Sequence, residues 1–61
     1  MNRQKQYIAA MLEVATAKAR DAAKEHEKAV GRPARQHWLQ QQLYWEGRVD
    51  YWRGRQDVPQ N

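Results

Sequence analysis

HWLQQQL (37–43), YWEGRVD (44–50) and YWRGRQD (51–57) stand head to tail in the last third of the chain and share a seven-residue period. Trp38, Trp45 and Trp52 form one column of the repeat, His37, Tyr44 and Tyr51 the next, and Gly47 and Gly54 a third. Apolar side chains recurring every seven residues keep one face of a helix against a second helix. The repeat therefore predicts a helix from about residue 33 to 56, with its tryptophans turned toward a partner element.

Upstream, Ile8, Leu12, Ala15, Ala19, Ala22, His26 and Ala29 follow a four-then-three spacing. That spacing lays a narrow seam along a first helix, expected from about residue 3 to 30 with Asn2 as N-cap. Gly31 suits the left-handed position that ends a helix, and Pro33 suits the first turn of the next one. Residues 31–33 thus read as a tight turn between two antiparallel helices. Counting outward from the turn places His26 near Trp38, Ala19 near Trp45 and Leu12 near Trp52. Indoles would then lie in a groove lined mostly by alanine. The expected fold is all-α, one helical-hairpin domain over 1–61 with a short tail at 57–61.

At 61 residues with no cysteine, the chain has no disulfide to staple it. A two-helix hairpin is also a poor shape for burying area, so pairing with itself into a four-helix bundle, or with a target, is expected. The second helix supports this. On a wheel at ~100° per residue, its side away from the tryptophans carries Leu43, Gly47 and Gly54, flanked by Tyr44 and Tyr51. Each glycine inside a helix costs about 1 kcal/mol relative to alanine, and each removes a side chain where another backbone could approach. Arg48 and Arg55 flank the tyrosines on one side, and Glu46, Asp50 and Asp57 lie on the other. Tyrosine and arginine are enriched at binding hot spots. The expected partner-binding residues are Leu43, Tyr44, Gly47, Arg48, Tyr51, Gly54 and Arg55.

Chemistry of other kinds finds few residues to use. The chain has no serine and no cysteine to act as nucleophile, and three scattered glycines make no phosphate loop. His26 and His37 lack the helical spacing to a second ligand that a metal needs. His26, on the seam, is expected to stack near Trp38. No enzyme activity, cofactor or metal is expected. No apolar run reaches the ~18–20 residues of a membrane span, and no leader is apparent after Met1, so a cytoplasmic protein is the default expectation. The net charge of +4 leaves nucleic acid as the competing partner, through Lys18, Arg20, Lys24, Lys28, Arg32 and Arg35 around the turn. Asp21, Glu25 and Glu27 are interleaved with them and would form helical ion pairs.

The YW-x-G-R-x-D unit at residues 44–50 and 51–57 resembles second-helix sequences of small accessory proteins of bacteriophages and prophages, over about a third of the chain. That resemblance implies a helical hairpin, often dimeric, that binds and modulates a host protein, with no shared catalytic residue. The architecture also resembles the Rop-type bundle of two hairpins. Tryptophans oppose alanines here, so RNA binding is not carried over. The expected function is a non-enzymatic protein-binding module of the phage-inhibitor kind.

Overall fold

The computed structural model describes residues 3–57, which form two helices, α1 (Arg3–Lys28) and α2 (Arg32–Asp57). They pack against each other along their length to give a rod of 49 × 13 × 11 Å. The fold is all-helical, a two-helix hairpin. The expected N-cap Asn2 and the tail at Val58–Asn61 lie outside the described residues.

The turn differs in detail from its sequence reading. α1 stops at Lys28, two residues early, and Ala29–Gly31 make the connection. One left-handed residue cannot alone reverse two long rods, so the last two residues of the expected helix are spent on the reversal. The Ala29 amide donates to the His26 carbonyl at 3.3 Å, a tightened final turn. Gly31 has φ +91°, the left-handed geometry that glycine adopts without strain. Its carbonyl accepts from the Arg35 amide at 3.1 Å, which makes Gly31 the residue that opens α2. Pro33 falls in the first turn of α2, where its missing N–H leaves no bond unmade.

The seam reading holds along both helices. Ile8, Ala15 and Ala22 are buried, and Leu12, Ala19, His26 and Ala29 are half-buried between them. On α2, Ala34, Trp38, Gln42, Trp45 and Val49 are half-buried and Trp52 is buried. The indoles are therefore graded: Trp52 is enclosed near the open end, whereas Trp38 and Trp45 keep one edge in solvent. The core is a small cluster of Ile8, Ala15 and Trp52, rimmed by Met11, Leu12, Trp45 and Val49. Tyr7 adds an edge-to-face contact with Trp52, ring centroids 5.7 Å apart. No large side chain among the described residues is fully buried.

Nearer the turn, polar contacts replace the apolar ones. The His26 Nδ1 lies 3.2 Å from the Gln42 Oε1, an arrangement the Nδ1–H tautomer satisfies as donor. The Gln42 amide then donates to a Glu46 carboxylate oxygen at 3.0 Å. The expected stack of His26 on Trp38 is replaced by this bond. The ring that meets Trp38 edge-on is its neighbour His37, at 4.9 Å between centroids. The imidazole reaches one turn further along α2 than counting from the turn suggests, because the amide of Gln42 gives its polar edge a partner that an indole face would not.

Candidate protein-interaction faces

Two open grooves between the helices define the two broad faces of the hairpin. The front groove is bordered by Lys18, Asp21 and Glu25 of α1 and by Trp38, Gln41 and Trp45 of α2. The opposite groove is bordered by Thr16, Arg20 and Ala23 of α1 and by Glu46, Val49 and Asp50 of α2. Helical spacing extends each border into a stripe. Tyr7 and Val14 continue the front stripe of α1, and Tyr44, Arg48 and Tyr51 continue the front stripe of α2.

The seven residues singled out in the sequence are thereby split between two surfaces and the open end of the rod. Tyr44, Arg48 and Tyr51 lie on the front, beside α1, and Arg55 lines a hollow at the open end with Lys5, Ile8 and Ala9. Leu43, Gly47 and Gly54 lie on the outer side of α2, turned away from α1. The division follows from rotation: Tyr44 and Tyr51 each precede a seam tryptophan and so sit ~100° from the seam, while the glycines sit two positions past it, at ~200°.

On the front, side chains from both helices converge. Tyr7 is 58% exposed, Val14 46%, Tyr44 58% and Tyr51 50%. Tyr44 and Tyr51 each stand edge-on to the following tryptophan, with centroids 4.9 Å apart. The Arg48 guanidinium lies 4.8 Å from the Tyr51 ring centroid and 5.3 Å from that of Trp52. These cation–π contacts place a half-buried arginine between the two rings. Tyr7 and Val14 were missed in the sequence because only the α1 seam was followed. The signal was present, since each immediately precedes a seam residue, as the tyrosines of α2 do.

On the outer side, Leu43 is 57% exposed, and a Cβ built on Gly47 or on Gly54 meets nothing within 4 Å. The glycines are not required by any contact inside the hairpin. They leave two shallow gaps seven residues apart beside an exposed leucine.

The basic residues near the turn do not gather on one surface. Lys18, Lys24 and Lys28 border the front groove beside Asp21 and Glu25, Arg20 borders the opposite one, and Arg32 and Arg35 line a hollow at the turn itself. Of the several ion pairs expected there, the described residues show one, Lys28 to Glu25 at 4.0 Å, the lysine largely in solvent and the glutamate half-buried. Exposed helical pairs of this kind add little. No group of three potential metal ligands occurs among the described residues, and no described helix is long and apolar enough to cross a membrane. Comparison with protein-family models, with curated proteins and with solved structures found no match to this chain.

Proposed function

We propose that this hairpin is a non-enzymatic protein-binding module that pairs with itself as a four-helix bundle and occludes a site on another protein. The observation that carries the reading is the outer side of α2, where an exposed leucine lies beside two helical glycines with open space at both Cβ positions. Glycine inside a helix is unfavourable by about 1 kcal/mol. A position that gains nothing within the fold gains when a second backbone packs closely against it. The resemblance of the YW-x-G-R-x-D units to phage accessory hairpins points to a cytoplasmic host protein as the partner.

The test is capture from a bacterial lysate by the immobilised chain and by a Gly47→Leu/Gly54→Leu variant. A protein retained by the wild type and lost from the variant, with helicity intact by circular dichroism, supports the reading. A lysate that yields no retained protein, or one retained equally by both chains, overturns it. The spread of the basic residues over three surfaces weighs against a single phosphate-binding patch. A gel shift with structured RNA or duplex DNA, steeply weakened by salt, would revive that alternative.

A further inference from the structure

We infer that the hollow at the turn takes an acidic peptide segment of the partner, with carboxylates on Arg32 and Arg35 and an apolar side chain against Val30 and Leu39. The inference rests on the protein-binding reading above and names the chemistry of the segment bound.

Charge singles this hollow out. The two broad grooves carry both signs: Lys18, Lys24 and Lys28 stand beside Asp21 and Glu25 in one, and Arg20 beside Glu46 and Asp50 in the other. The turn hollow, of about 720 Å³, is lined by Arg32, Arg35 and His26 and by no carboxylate. Both arginines are exposed, and neither has an ion-pair partner among the described residues. The nearest carboxylates along the chain are Glu27, which is exposed and outside the lining, and Glu25, which is paired with Lys28. An acidic segment therefore gains two ion pairs without displacing any, and a basic one meets like charge. Guanidinium forks match carboxylates in shape as well as charge. Side chains rather than the start of α2 supply these contacts: Pro33 has no amide hydrogen, and the Arg35 amide is already bonded to the Gly31 carbonyl.

The apolar lining sets a second requirement. Val30 is 90% exposed, the most of any large apolar side chain among the described residues, and Leu39 is 39% exposed. At that exposure Val30 adds almost nothing to the hairpin. Ligand hollows combine apolar walls with a few polar groups that fix orientation, and a bare inorganic anion would leave these walls uncovered. His26, tied to Gln42 at 3.2 Å, bounds the hollow on the seam side.

Spacing gives the register. Arg32, Arg35 and Leu39 follow one another at three and four residues on one stripe of α2, with neighbouring Cβ atoms ~5–6 Å apart. Alternate side chains of an extended peptide lie on one side, ~6.5 Å apart. A run of acidic, any, acidic, any, apolar residues thus meets the three in order. Leu43 stands one turn beyond Leu39, so the bound segment leads toward the outer side of α2.

Titration of the isotopically labelled full chain with the blocked pentapeptide Glu-Ala-Glu-Ala-Leu, read by amide chemical shifts, tests the inference. Saturable shifts centred on residues 29–39 are expected. Gln-Ala-Gln-Ala-Leu and Glu-Ala-Glu-Ala-Gly are each expected to bind about fivefold more weakly, as is the acidic peptide on Arg32→Gln/Arg35→Gln. Gly47→Leu/Gly54→Leu is expected to bind it as the wild type does. The two altered peptides probe the same contacts on the unaltered chain, should the arginine variant lose helicity. No saturable shift at millimolar peptide, shifts centred on either broad groove, or equal affinity for the glutamine peptide overturns the inference. So does inorganic phosphate, or a short single-stranded RNA, that binds the hollow as tightly as the peptide. Lysate capture reads separately. A target lost from the glycine variant with no peptide bound sinks this assignment alone, and a target kept by that variant with the peptide bound sinks the outer-side reading alone.

Discussion

Replacing Trp52 with alanine is expected to remove most of the stability of the fold, and replacing Trp38 is expected to remove much less. Trp52 is 9% exposed. A buried tryptophan withdraws ~150–250 Å² from water, worth about 4–6 kcal/mol at ~25 cal/mol per Å². Truncations of buried aromatic residues to alanine typically cost ~3–5 kcal/mol, since the surroundings close only part of the gap. The edge-to-face contact with Tyr7 and the Arg48 guanidinium over the ring are lost with the indole, which puts Trp52 at the upper end of that range. A chain of this size has a total stability of roughly 3–9 kcal/mol at ~0.05–0.15 kcal/mol per residue. Trp52→Ala should therefore populate the unfolded state substantially at 25 °C.

Trp38 is half-buried, with its contacts at the polar end of the groove, so its truncation should cost about half as much. The assay is urea unfolding followed by ellipticity at the helical minimum, with protein concentration held fixed because self-association stabilises by mass action. An excluded osmolyte such as trimethylamine oxide can restore a folded baseline for the weaker variant. If Trp38→Ala proves as costly as Trp52→Ala, or if Trp52→Ala costs under about 1 kcal/mol, then the core is not centred at the open end and the packing argument fails.

Gly31→Ala should lower stability by about 1–2 kcal/mol, read as a fall in melting temperature, because an L side chain resists the left-handed backbone at φ +91° although the space beside it is open. A variant with unchanged melting temperature would show that the turn relaxes to another geometry at no cost. Gly47→Ala with Gly54→Ala should raise stability by about 1 kcal/mol per site in the same urea assay, since an added Cβ meets nothing at either position. A loss of stability there would mean that the helix is distorted at the glycines or that they already contact something.

Much of the architecture was legible because helical period and seam are properties of the chain alone. All seven residues of the expected first-helix seam are buried or half-buried, six of them within α1, and the three tryptophans of α2 turn inward. The turn was legible in kind, through Gly31 and Pro33, but not in length. Capping signals do not say how many residues a reversal consumes, and Ala29 and Val30 have no property that marks them as non-helical. The pairing of His26 was missed for a different reason. Counting from the turn treats the helices as ideal rods with residues matched in levels, whereas a polar side chain on the seam goes to whichever neighbour can satisfy it. Division of the α2 surface could not be read from α2 by itself. Whether Tyr44 and Tyr51 belong with the outer glycines or with α1 depends on which residues α1 sets beside them.

That last dependence has a simple geometric root. In each helix the residue just before a seam position is rotated ~100° from the seam in the same sense. Two antiparallel helices facing each other are related by a half-turn about an axis perpendicular to the plane that holds them, and this operation keeps a given broad face in place. The residues that precede the seam in α1 and in α2 therefore arrive on one face together. In this chain they are Tyr7, Val14 and Asp21 on the first helix, and His37, Tyr44 and Tyr51 on the second. At the open end all of them are apolar or aromatic; toward the turn they become Asp21 and His37. The tyrosine–tryptophan pairs thus serve two purposes with one repeat, the indole closing the hairpin and the phenol dressing its front. The same repeat makes the apolar part of that front end where the polar bond between His26 and Gln42 begins.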